Sequence, residues 1–277
     1  MSVTTRQWLE IIRFEMTYQL GRRSVWFLFA VFLLPTMGQI NGAVANAVSA
    51  ELLFAAPILV ASDSASVSLA ALLFIAAIAG DAATRDIDTR LEPLMHAAPV
   101  SRAAYLSGRV VGAFVVAALL LIVVPIAFVA AAFVHPDLRP ELVGPVRPAA
   151  YLQSYFLVLL PNAFISMALL FALATLVRHT VGSYVGAAIV FAGVLFSRGY
   201  LAQTLGLWDL ATLLDPAGNT GLTLMKRSWS PIDLTVRLVG GEASLLWNRL
   251  LWVMLAVAGL VFTYSRVRRG APRRAPW

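Results

Sequence analysis

Cysteine is absent from this chain of 277 residues, lysine occurs once and histidine three times. Without cysteine there is no disulfide framework and no thiolate metal site. His96, His135 and His179 are far apart, and none has a histidine or carboxylate four residues on. The clustered ligands of a metal hydrolase are therefore missing. The single lysine decides a further question. A phosphate-cradling loop needs the pattern GxxxxGK[ST], and Lys226 stands between Met225 and Arg227. The chain has no such nucleotide site.

Charge is also scarce, at 13% of residues against 60% hydrophobic. A soluble domain carries about 25% charged residues, so the composition points to a membrane protein. The N-terminus is not a signal peptide, because charged and apolar residues interleave up to Arg23 with no short apolar core before a cleavage site.

A span needs roughly 20 apolar residues to cross about 30 Å of hydrocarbon. Six segments qualify: 24–41, 62–80, 108–134, 150–177, 181–200 and 246–265. The expected fold class is an all-α integral membrane protein of six transmembrane helices, and one transmembrane domain spans 1–277. Placing the N-terminus in the cytoplasm puts fourteen of the 21 basic residues inside, as the positive-inside rule requires. Six spans then return the C-terminus, with its basic tail 266–277, to the cytoplasm. The net charge of +7 reflects these flanks, and nucleic acid is not an expected partner.

Residues 1–23 precede the first span. Arg6, Glu10, Arg13 and Thr17 share one helical face, and Trp8, Leu9, Ile12, Met16 and Leu20 lie on another. This predicts an amphipathic helix in the inner interface, ended by Gly21. Glu15 interrupts its apolar face and is expected to snorkel or pair with Arg22; contact with a partner's surface is the sharper alternative. Residues 41–62 read as a greasy outer loop and 135–149 as a proline-rich rigid connector. The long outer segment 201–245 mixes short amphipathic pieces with breaks at DPAGN and SWSP.

Ionisable groups at mid-membrane would mark a carrier or an intramembrane enzyme. Only Asp63 and Arg198 come near such positions, and both lie near span ends. Pro125 and Pro161 can kink spans without a carboxylate beside them. Nothing here supplies energy or catalysis from within the chain.

The densest charge lies at 80–107, between the second and third spans, with Asp81, Arg85, Asp86, Asp88, Arg90, Glu92 and Arg102. Pro93 is tolerated in the first turn of a helix, and Pro99 biases residue 98 away from helix. A short helix from Glu92 to before Pro99 is expected, presenting Leu91, Leu94, Met95 and His96. Ser101 is a good N-cap for a long helix running to about 134. Apolar residues flanked by charge suit a protein contact, and a solvated hairpin is the plain alternative.

The stretch GDAATRD…RLEPLMHAAPVSRAAYLSGR resembles the first cytoplasmic loop of ABC-2 type permeases, the membrane subunits of ATP-binding-cassette transporters. The shared features are an acidic residue, a short Leu-bearing helix, Pro-Val-Ser-Arg, then Tyr-Leu and Gly-Arg. A second stretch, DLATLLDPAGNTGL…WSPIDLTVRLVGGEASLLWNRLLW, is similar to the outer segment and last span of a bacterial subgroup, some members of which carry a zinc aminopeptidase domain. No such domain is expected here. Glu92 departs from the pattern in being followed directly by Pro93, which leaves the start of the short helix open.

The resemblance implies a permease subunit of an ATP-driven exporter in the bacterial cytoplasmic (inner) membrane. The loop helix would be a coupling helix, with Asp86, Glu92, Leu94, Met95, Pro99, Ser101 and Arg102 at matching positions and Arg178–His179 as a second, smaller contact. The N-terminal helix, with Arg13 and Glu15, would be an elbow. Substrate would pass between two permeases, identical or paralogous, along small residues of spans one, two and five. Gly182, Gly186 and Gly193 also suit plain packing within one subunit. The chain would be no enzyme on its own and bind no cofactor, with ATP and magnesium on a separate ATP-binding subunit. The alternative is a membrane anchor or assembly protein that docks a cytoplasmic partner without transport.

Overall fold

The computed structural model describes residues 3–50, 53–91 and 100–269, which are helical almost throughout and contain no strand. The first helices are α1 (Val3–Gly21), α2 (Arg23–Ala50), α3 (Pro57–Ala70) and α4 (Leu72–Asp88). Next come α5 (Arg102–Leu121), α6 (Val123–Val134), α7 (Pro140–Val143) and α8 (Pro148–Gln153), the last continued by a π segment, Ser154–Leu159. The chain then forms α9 (Leu160–Val177) and α10 (Val181–Leu195), with a second π segment at Phe196–Thr204. The rest is α11 (Trp208–Leu214), α12 (Asn219–Ser228), α13 (Pro231–Val236), a 3₁₀ turn at Val239–Gly241 and α14 (Ala243–Arg269).

Among the described residues, five helices are long and apolar enough to cross a membrane, and α3 with α4 make a sixth if that bent pair is one span. The chain is therefore a multi-pass α-helical membrane protein. Its apolar outer faces, such as Phe27, Leu34, Phe133 and Ile189, are the surface such a bundle turns to lipid.

Two expectations change. Most of the greasy stretch 41–62 is helix, because α2 runs on to Ala50 and α3 begins at Pro57. The backbone at Phe54 and Ala55 donates to the carbonyls of Leu142 and Val143, at 2.8 and 2.9 Å, tying this link to the proline-rich connector. The second span, expected as 62–80, is two helices bent by 49° at Ala71. Ser62, Ser66 and Ser68 in α3 hydrogen-bond back to carbonyls of Ile58, Ser62 and Ala65, a pattern that bends helices. Pro161 follows the first π segment, where a wider turn removes the demand for its missing N–H.

Close packing follows the glycines. A Cβ on Gly182 would stand 3.0 Å from the Ala174 backbone, and one on Gly186 would stand 2.7 Å from Leu170. These two seat α10 against α9 inside the subunit. Gly193 has only Pro216 near, at 3.9 Å. The large buried side chains Phe74, Phe128, Phe171, Ile75 and Leu121 fill the centre.

Candidate functional site

Gly108 and Gly112 sit four apart on α5, so both face one side. A Cβ at either would meet α1: Ile11 at 2.8 Å from the first, Glu15 at 2.7 Å from the second. Small residues in this spacing let helix backbones approach closely, and α1 lies in the resulting groove. Trp8 fastens its start by donating to Ser107 Oγ, 3.0 Å away. The face turned inward overlaps the apolar stripe read from the sequence, with Trp8, Ile12, Met16 and Leu20 half-buried, but it is centred elsewhere. Leu9 is exposed, whereas Glu15 and Gln19 are fully buried.

Glu15 ends up inside a network of three carboxylates and three guanidiniums. Its Oε1 accepts from Arg85 Nη2 at 2.6 Å and from Gln19 Nε2 at 2.8 Å. Arg109 Nε stands 3.6 Å from Oε2. Arg85 also pairs with Asp81 one helical turn earlier, at 3.0 Å, and its guanidinium lies 3.7 Å from the centre of the Tyr18 ring. Arg22 pairs with Asp81 at 2.6 Å, so the expected Glu15–Arg22 pair does not form. Asp86 pairs with Arg109 at 2.7 Å, and the Tyr105 hydroxyl bonds both.

The geometry has a simple electrostatic reason. A buried charge is tolerated only when paired and hydrogen-bonded. Three acids from α1 and α4 meet three bases, Arg22 in the link between α1 and α2, Arg85 on α4 and Arg109 on α5, and the network is neutral overall. It joins α1, α4 and α5 at one end of the bundle. Its carboxylates are all engaged by cations, and no group of three metal-ligating side chains exists among the described residues. The arrangement ties these helices to one another through buried charge.

Some of the residues singled out in the sequence belong to this network or lie near it. Asp86 belongs to it, with its carboxylate directed inward to Arg109. Glu15 is at its centre, and Arg13 is exposed on the opposite face of α1. Ser101 caps α5, its hydroxyl accepting from the Ala104 N–H at 3.2 Å, and Arg102 follows in the first turn, half-buried. Arg178 occupies a left-handed conformation, φ +58°, that ends α9. The His179 ring accepts from the Val181 N–H at 3.1 Å. This turn is packed on the foot of α4: Thr180 and Thr84 hydroxyls are 2.8 Å apart, and Gly80 leaves room for Thr180 and Ser183. Glu92, Leu94, Met95 and Pro99 lie outside the described residues.

Sequence reasoning missed Arg109 as a network member because it looked like the charged edge of a span. The i, i+4 pair Asp81–Arg85 was a readable signal. A second buried polar set, at the other end, was also missed. Asn162 on α9 accepts from Arg249 on α14 and donates to Ser68 at 2.8 Å. Asp215, fully buried, accepts from the backbone of Ala217 and Thr220 and from the Thr220 hydroxyl.

Compared with known proteins, the chain matches no family model and no curated protein.

Proposed function

We propose that this chain is the membrane subunit of an ATP-driven ABC transporter of the ABC-2 type, an exporter that works with a second permease and a separate ATP-binding subunit. The observation that carries the reading is the ion network around Glu15, Arg85 and Arg109. It binds α1, α4 and α5 into one unit close to Leu91 and Val100, so a push on the segment between those two residues would move three helices together. The absence of a nucleotide-binding loop in the sequence makes an external source of energy the natural complement.

In this reading the network end faces the cytoplasm, and α1 lies as an elbow at the inner interface with Arg6, Glu10 and Arg13 toward water. Glu92, Leu94 and Met95 form the main contact with the ATPase, and the Arg178–His179 turn forms the smaller one. Asp86 acts from behind this surface, by holding Arg109.

The test is reconstitution with the candidate ATPase, comparing wild type with the variant Glu92→Arg, Leu94→Arg. The expected result is loss of ATPase binding and of transport with the bundle still folded. If both survive, the coupling assignment is wrong. If binding is lost but wild type moves no substrate, the chain is an anchor that docks a partner.

A further inference from the structure

The ion network and the groove under α1 leave another side of α5 unused. There α14 packs closely on α9 but barely touches α5. The gap is a cleft of about 280 Å³, with α5 and α14 as walls and α9 as floor. Leu106, Val110, Phe164 and Leu260 line it, and it follows α5 from Ala103 to Val111, about 12 Å.

The hydroxyls of Ser107 and Thr263, both in its lining, are already engaged. Ser107 donates to the Ala103 carbonyl at 2.6 Å and accepts from Trp8 at 3.0 Å. Thr263 donates to the Gly259 carbonyl at 2.8 Å. What remains is largely hydrocarbon surface, which an acyl chain covers without leaving a polar group unpaired. Val257 and Val261, on the α14 rim, are exposed on the face that this multi-pass bundle turns to lipid.

Charge selects the kind of lipid. No carboxylate occurs on α5, α9 or α14, and no acid follows Glu242 in the sequence. The acids of the ion network lie on α1 and α4 and are held by cations. Arg102 directly precedes Ala103 at the start of α5. Arg268 stands eleven, seven and four residues beyond Val257, Val261 and Tyr264, so its position continues their stripe of α14. Arg266 leans away, over the Phe262 ring at 5.2 Å. Trp8, bonded to Ser107, and Tyr264 stand at this end of the cleft, and such amphipathic rings sit at head-group level.

We propose that the cleft between α5 and α14 holds an acyl chain of an anionic phospholipid, with its head group at the arginine-bearing ends of the two helices. The chain fills the gap that α14 leaves, and so fastens α14 to the unit formed by α1 and α5. This lipid site requires the membrane fold alone, with no ATPase and no second permease.

The experiment places the purified full chain in nanodiscs with phosphatidylglycerol or phosphatidylcholine that carries a photoreactive acyl chain, and maps the labelled peptides. The expected result is that phosphatidylglycerol labels α5 around Leu106 and α14 around Leu260 more heavily than the outer faces at Phe27 and Ile189. Phosphatidylcholine labels the cleft less. Arg268→Gln lowers phosphatidylglycerol labelling of the cleft about fivefold, the effect of one charge at an anionic membrane surface. Arg139→Gln, an exposed cation at the other end of the bundle, leaves it unchanged. Ala103→Phe and Val261→Phe, both at exposed positions, fill the cleft and reduce labelling there by either lipid. Labelling spread evenly over the cleft and the outer faces would overturn the proposal, as would equal labelling of the cleft by the two lipids. A two-chain mass in native spectrometry with an unlabelled cleft gives the face to a second copy and rejects the lipid.

Discussion

Glu15 and Arg85 are 70 positions apart in the chain and 2.6 Å apart in space, both buried from solvent. One sits on a helix that a hydropathy profile passes over. The other sits on the last turns of a span. Their contact turns α1 from a peripheral helix into part of the bundle.

Breaking a buried pair from one side leaves an uncompensated charge and costs about 3 kcal/mol or more. Glu15→Ala is therefore expected to lower the thermal unfolding temperature in detergent and to free α1 for proteolysis at Arg13. Glu15→Gln keeps the shape and the Gln19 contact, and should do less harm. A double-mutant cycle with Arg85→Gln should give a coupling energy of about 1–3 kcal/mol. Additive effects within error would mean that the two residues do not support each other.

The groove under α1 makes a steric prediction. Gly112→Ala places a methyl group 2.7 Å from Glu15 Cβ, closer than packed atoms allow. Overpacking of this kind costs about 1–3 kcal/mol. Gly38 on α2 has nothing within 4 Å of an added Cβ, so Gly38→Ala should be neutral or slightly stabilising. Unfolding of the two variants side by side tests the groove, and equal stability would remove it.

The end of α4 carries a backbone feature that can be relieved. Arg90 has φ +58°, the Leu91 N–H reaches the Asp86 carbonyl at 2.8 Å, and the Arg90 N–H reaches Ile87 at 3.1 Å. This is the Schellman ending that glycine favours, filled by a residue that occupies the left-handed region at a cost of about 1 kcal/mol. Arg90→Gly should slow hydrogen exchange of the last α4 amides. Unchanged or faster exchange would show that the Arg90 side chain supplies a compensating contact.

The six apolar runs were legible because hydropathy sums over some twenty residues, and Gly21 and Ser101 mark helix limits through local backbone chemistry. The bend at Ala71 was not legible. It has no proline, and its serines act only through carbonyls that the helix itself positions. The Glu15 network was half legible: Asp81 and Arg85 stand one turn apart, but Glu15 and Arg109 meet only because Gly108 and Gly112 let two helices touch. The Asn162, Arg249 and Asp215 set was hidden for the same reason, since its members come from α9, α14 and the 215–218 loop, distant in sequence.

Asp215 yields the last prediction. Its carboxylate holds the Ala217 N–H at 2.9 Å, the Thr220 N–H at 2.6 Å and the Thr220 hydroxyl at 2.8 Å, while Asn248 on α14 donates to its carbonyl at 2.8 Å. One side chain thus caps α12 and fixes the turn before it. Asp215→Ala strands three buried donors, each worth about 1 kcal/mol or more when left unpaired, and α12 should loosen from α14 first. Trypsin would then cut after Lys226 or Arg227 at concentrations that spare the wild type, while the helices at the ion-network end keep their protection. Asp215→Asn retains an acceptor and should fall between the two. If the alanine variant resists cleavage as well as wild type does, the capping role of Asp215 is refuted. The anchoring of α12 would then have to come from the apolar contacts of Leu222 and Met225 with Ile58 and Leu245.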